Sequence, residues 1–195
     1  KAARADVVSK GELYRVIKSG ADPKKVVYSG VGKTKSEIRY ALENNILCFN
    51  VESEGELLVI NEEASYLSVT ANISIRVNPD VAVESHPYIS TGMKDNKFGI
   101  TYNNALALYI KASKLSSLNI IGIDFHIGSQ ITSIQPYLDS IKSVRGLVSE
   151  LKKENINITH IDVGGGLGIS YEDEDIVSKG DYIKEITNSL KDLNL

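Results

Sequence analysis

The sequence predicts an α/β fold of parallel βα units and, within that class, a partial (β/α)8 barrel of TIM type, about strands two to seven with their helices. Three observations predict it. Short runs rich in Val and Ile alternate with segments of helical period. The runs carry few polar interruptions, as parallel strands covered on both faces require. Polar residues and glycines then gather at or just past the C-terminal ends of nearly every run: Ser9, Gly30, Glu52, Arg76, Asn78, His126, Gly128, Ser129, and Gly164, Gly165 and Gly166. In a barrel those ends form one ring, the active face. A doubly wound sheet concentrates them at a single switch point instead.

The elements follow in chain order. Strands are predicted at residues 5–9, 25–29, 46–51, 73–77, 120–128 and 160–163. Leu13, Val16 and Ile17 form the first helical stripe, and Ser19, Gly20 and Pro23 end it. Ile38, Ala41 and Leu42 form the next, and residues 104–115 read as helix. Leu138, Ile141, Val144, Val148 and Leu151 recur at steps of three and four; so do Tyr182, Ile183, Ile186, Leu190 and Leu193. Asn155 breaks the chain before the last strand. There is no linker, low-complexity tract or sequence repeat.

A chain of 195 residues suits one domain with a core of ordinary size. Its 22 basic and 25 acidic side chains give a net charge of -3, which argues against a strongly basic nucleic-acid surface. No apolar run approaches the roughly 18 residues of a membrane span. The N-terminus lacks the apolar centre of a secretory signal. Cys48 is the single cysteine, placed in an apolar run, and fits a reduced, cytoplasmic setting. The sequence does not begin with Met and is read as a fragment or a processed chain.

Several motifs allow two readings. GVGKTKS at residues 30–36 imitates a nucleotide-binding loop, but the glycine needed five residues before Gly32 is Val27. A tight turn with a basic helix start is the better reading. Gly164, Gly165 and Gly166 also fail as a dinucleotide fingerprint, because the third glycine would fall at Ile169. They are either a nest of amides for an anion or a turn that needs room. His126 ends a long apolar strand and points into the ring, as a structural hydrogen-bonder or a group at the site. Gly128 and Ser129 beside it favour a ligand nearby. Arg76 lies in a buried strand, so it is paired with an acid such as Asp124 or Asp162, or it aims a fixed cation at an anionic ligand. His160 begins its strand and lies on the opposite, stability face; with His86 and His126 it forms no metal-ligand pattern. Residues 86–100 form a long polar loop of the kind that binds ligands, in which Lys97 is either paired or solvated.

Taken together, ADVVSKGEL (5–13), RVNPD (76–80), HPYISTGMKDNKFGI (86–100), FHIGSQ (125–130) and DVGGGLGI (162–169) resemble the barrel-type pyridoxal-phosphate decarboxylases, in their diaminopimelate decarboxylase branch. The resemblance runs the length of the chain, and the ISTG loop followed by HIGSQ is its specific part. It implies a cofactor, pyridoxal 5'-phosphate, whose phosphate Gly164, Gly165 and Gly166 would hold with Ser129 beside them. His126 would stack on the pyridine ring, and Arg76 would approach the ring hydroxyl. Asp6 and Glu12 match acidic positions of the pocket near the Schiff-base lysine. Lys97 matches a lysine near the interface of a homodimer. The implied reaction takes a small amino acid, meso-diaminopimelate, to lysine and carbon dioxide.

The same resemblance makes residues 1–195 an incomplete cofactor-binding barrel. The strand that carries the Schiff-base lysine, the eighth strand with its Glu-Pro-Gly-Arg stretch, and the C-terminal β domain have no counterpart in it. The isolated chain is accordingly expected to be inactive. A relative acting on ornithine or arginine, and a catalytically dead piece that works only by association with another chain, are the alternatives.

Overall fold

The computed structural model describes residues 4–79, 81, 98–171 and 176–193. The described strands are β1 (Ala5–Val7), β2 (Val26–Tyr28), β3 (Cys48–Val51), β4 (Ala71–Asn78), β5 (Ile100–Thr101), β6 (Leu118–Asp124) and β7 (His160–Asp162). Between and after them run α1 (Lys10–Lys18), α2 (Lys35–Glu43), α3 (Glu54–Tyr66), α4 (Tyr102–Ala112), α5 (Gln135–Lys153) and α6 (Lys179–Leu190). All strand pairs are parallel, in the order β1-β2-β3-β4-β6-β7. β5 adds two residues beside the end of β4.

Parallel strands under helices are covered on both faces, and the sequence meets that demand. Every residue of β2 and β3 is buried. Tyr28 stacks on Phe49 across this pair, with ring centroids 6.1 Å apart. Helices α1 to α5 contribute Leu13, Ile38, Leu57, Tyr109 and Val144, all fully buried. The sheet curls into a half-barrel. At its N-terminal end Arg4, just before β1, reaches His160 at the head of β7, 2.9 Å from guanidinium to Nδ1. That contact places His160 at the stability end, opposite the strand tips.

The strands are shorter than the apolar runs because helix caps and turns claim the run ends. Ser9 accepts the Glu12 N–H at 3.2 Å and caps α1, so β1 stops at Val7. Lys25 belongs to a 3-10 turn opened by Pro23. β6 ends at Asp124, and residues 125–128 leave it without regular structure. Ser53 and Ser178 cap α3 and α6, and Thr34 and Glu37 close a reciprocal capping box on α2. These caps orient each helix start at the rim where the strands end.

Candidate active site

The C-terminal ends of β1, β2, β4, β6 and β7 open onto one cleft of about 540 Å³. Asp6 and Val8 line it from β1, Ser29 and Gly30 from β2, and Arg76 from β4. Asp124 and His126 come from β6, and Asp162, Gly164 and Gly165 from β7. A volume of this order suits a cofactor-sized molecule.

The floor is hydrogen-bonded from strand to strand. Ser29 Oγ donates to Asp6 Oδ1 at 2.6 Å, and Asn50 Nδ2 donates to Ser29 Oγ at 3.0 Å. The Arg76 guanidinium pairs with Glu52 at 2.7 Å, while its Nε lies 4.0 Å from Asp124. The expected partners of Arg76 were Asp124 or Asp162. The structure gives the close pair to Glu52, keeps Asp124 as a second and longer ion pair, and gives none to Asp162. The register explains this. Arg76 faces Asp124 across β4 and β6, and Asp124 faces Asp162 across β6 and β7, so Asp162 stands one strand too far away. Glu52 follows β3, the neighbour of β4 on the other side.

Several carboxyls around one cation make the floor electrostatically uneven. Burial, then the facing Asp162 carboxylate, holds Asp124 well above the usual carboxylate range. Burial also raises Asp6, against the Ser29 hydrogen bond, which lowers it. Glu52 Oε2 is buried without a hydrogen-bond partner among the described residues. Burial and the Arg76 charge lower the pKa of His126. Its Nδ1 accepts the Gly165 N–H at 3.3 Å, so the neutral ring carries its proton on Nε2.

The three glycines are not equivalent. Gly164 has φ +67, and a Cβ there would stand 2.5 Å from the Phe125 carbonyl oxygen. Gly166 has φ +92, and its Cβ would run into the Gly128 carbonyl. The close approach of the turns after β6 and β7 therefore accounts for both. Gly165 is different: its backbone is not left-handed, and nothing in the chain lies within 4 Å of where its Cβ would be. The fold leaves this glycine open to the cleft.

Other expected residues fall around the cleft rather than in it. Ser129 is exposed beside the glycine turn and does not line the cleft. The Glu12 carboxylate accepts the Val8 N–H at 2.7 Å at the start of α1 and does not line it either. Lys33, from the loop that imitates a nucleotide site, is turned inward. Its ammonium donates to Gly30 O at 2.6 Å and Asn50 O at 2.8 Å and pairs with Glu56 at 2.6 Å. His86 and Lys97 lie outside the described residues. Among the described residues, no three His, Cys, Asp or Glu side chains are placed to hold a metal ion. No described helix is long and apolar enough to cross a membrane. Sequence reading missed Asn50, Ser29 and Glu56. The polar Asn50 inside the fully buried β3 was the available signal.

The family model for the pyridoxal-binding domain of pyridoxal-dependent decarboxylases matches residues 2–194. A diaminopimelate decarboxylase of Pseudomonas aeruginosa is 52% identical over 192 residues, which are 97% of this chain and 46% of that protein. The crystal structure of the Helicobacter pylori diaminopimelate decarboxylase complexed with L-lysine superposes with a TM-score of 0.91 at 43% identity, covering 98% of this chain and 49% of that one. The enzyme from M. jannaschii in co-complex with L-lysine gives 0.87 at 43%, over 96% of this chain and 44% of that one. The chain spans about half the length of the curated relatives it matches.

Proposed function

This chain belongs to the pyridoxal-dependent decarboxylases, and from that premise we propose that it is the cofactor-holding barrel portion of a diaminopimelate decarboxylase. The observation that carries the reading is Gly165. It is the one glycine of its turn that the fold does not require, and it lines a cleft with a fixed cation and an imidazole. A backbone bare of Cβ, beside Arg76 and His126, suits close approach by an anion-bearing aromatic ring.

The residues present fit pyridoxal phosphate. The glycine turn would take the phosphate, with Ser129 at its rim. The His126 ring, exposed to the cleft, would lie against the pyridine face. Arg76, held by Glu52, would reach the ring hydroxyl. Asp6, fixed by Ser29, would face the reacting end, and Glu12 would act from behind by holding the Val8 amide. Bound there, the cofactor supplies an electron sink for the carbanion that decarboxylation leaves. The chain's part is orientation and charge. Burial and the Arg76 charge favour the neutral form of His126, and burial favours the protonated form of Asp124. Two copies would pair in the complete protein, in a reducing compartment that suits the unpaired, buried Cys48.

The test uses the intact protein in its full-length context, titrated with pyridoxal phosphate and then given meso-diaminopimelate while carbon dioxide is counted. Lysine and carbon dioxide in equal amounts are expected. Release from ornithine but not from diaminopimelate would overturn the substrate. Failure to bind pyridoxal phosphate would overturn the reading itself.

A further inference from the structure

We propose that Gln130 and Tyr137 are positioning residues that hold the glycine turn in its ligand-ready shape, an inference that rests on the reading of this turn as the phosphate site. Gln130 sits at φ 56, in the left-handed region. A glycine occupies that region without steric cost, whereas a longer L side chain does not. The side chain must therefore offset the conformation. Its carboxamide makes a two-point contact with one residue of the facing loop: Nε2 donates to Ile169 O at 2.8 Å, and Oε1 accepts from Ile169 N at 3.0 Å. Next to it, Ile131 N donates to Gly166 O and Gly168 N donates to Ile131 O, both at 2.9 Å. The loops after β6 and β7 are thus zipped by two backbone bonds, and the Gln130 amide extends the zip beyond the last of them.

Tyr137 acts on the turn from the other side. Its ring is fully buried in α5 and packs edge-on against Tyr182 of α6, with centroids 4.9 Å apart. Its hydroxyl donates to Gly165 O at 3.1 Å. A trans peptide points its C=O and its N–H in opposite directions. Drawing the Gly165 carbonyl toward α5 therefore aims the Gly166 N–H away from α5. The preceding peptide is fixed as well, because the Gly165 N–H is held by His126 Nδ1. Gln130 sets how far the turn stands from the β6 loop, and Tyr137 sets which way its amide faces. Neither residue is among those that line the cleft.

The experiment compares two ligands that differ only in the phosphate. Pyridoxal phosphate and pyridoxal are each titrated by absorbance into the intact wild-type protein, Gln130→Gly and Tyr137→Phe, with thermal midpoints recorded alongside. Each variant is expected to bind pyridoxal phosphate more weakly by on the order of five- to tenfold, about the worth of one hydrogen bond, and to bind pyridoxal as the wild type does. Gln130→Gly relieves the left-handed backbone, so it carries the test should Tyr137→Phe fail to fold. Equal weakening of both ligands would show a merely structural role and overturn the proposal, as would unchanged affinity for both. A wild-type protein that binds the two ligands alike would instead overturn the phosphate reading of the turn, and this inference with it.

Discussion

Alanine at Gly165 and alanine at Gly166 are expected to fail in opposite ways. At Gly166 the backbone is left-handed, which costs an L residue about 1–2 kcal/mol. The new methyl would also collide with the Gly128 carbonyl, a backbone atom held in the zipped loops. Gly166→Ala should therefore lose more than about 3 kcal/mol, in the range of changes that break a special backbone position. Gly165→Ala meets neither obstacle, and by narrowing the unfolded ensemble it should gain about 0.4–1 kcal/mol. Its methyl would stand in the cleft, where the proposed phosphate would approach the turn. Losing one charge-assisted amide contact costs about 1.5–3 kcal/mol, or roughly ten- to a hundredfold in Kd. Urea denaturation reads the first effect and a pyridoxal phosphate titration the second. A Gly165→Ala protein that binds the cofactor like wild type would refute the reasoning. So would one as unstable as Gly166→Ala, because Gly165 would then also be a requirement of the fold.

Arg76→Met should cost about 3–5 kcal/mol, since it strands the Glu52 carboxylate at 2% side-chain exposure; adding Glu52→Gln should restore much of the stability and none of the cofactor affinity, measured by denaturation and titration together. Asp124 is raised in the folded state, so the folded chain binds more protons above about pH 4, and stability should fall as pH rises from there toward the raised value. The slope contributed by this one group is at most about 1.4 kcal/mol per pH unit. Asp124→Asn should flatten part of that slope across denaturation curves at pH 4.5 to 8; an unchanged slope would show that Asp124 ionises normally. Lys33→Met leaves the half-buried Glu56 without its cation and two carbonyls without a donor, and it should lower the thermal midpoint by more than any exposed Lys→Met control, such as Lys153→Met.

Period and composition made most of the fold legible, and the exceptions have physical causes. The αβ alternation, the parallel pairing and the ring of polar strand ends could be read because buried strands must be apolar and loops must carry the chemistry. Helix α3 could not. Leu57, Leu58, Val59 and Ile60 run together and blur its period, and the buried face includes Glu63, whose carboxylate pairs with Arg39. β5 is only two residues long and follows a polar loop, so no pattern announced it. At the site, His126, Arg76 and the glycines were legible because each is out of place in its local context. Their partners were not. That Arg76 pairs with Glu52 rather than Asp162 depends on strand order and register, which one sequence does not display.

The lysine of the nucleotide-loop imitation shows how far such hidden wiring reaches. Lys33 holds Gly30 O and Asn50 O, so it ties the ends of β2 and β3 together, and it pairs with Glu56. The other oxygen of Glu56 accepts the Glu52 N–H at 3.0 Å, which fixes the backbone from which the Glu52 side chain reaches Arg76. Asn50, in the same segment, turns its amide to Ser29 and through it to Asp6. One lysine side chain at 1% exposure thus lies behind both the cation and an acid of the cleft without lining it. Its three acceptors leave no donor over for a ligand, since an ammonium has only three. The loop that imitates a nucleotide site is therefore part of the scaffold, in keeping with its reading as a tight turn, and the backbone left open to the cleft is that of Gly165.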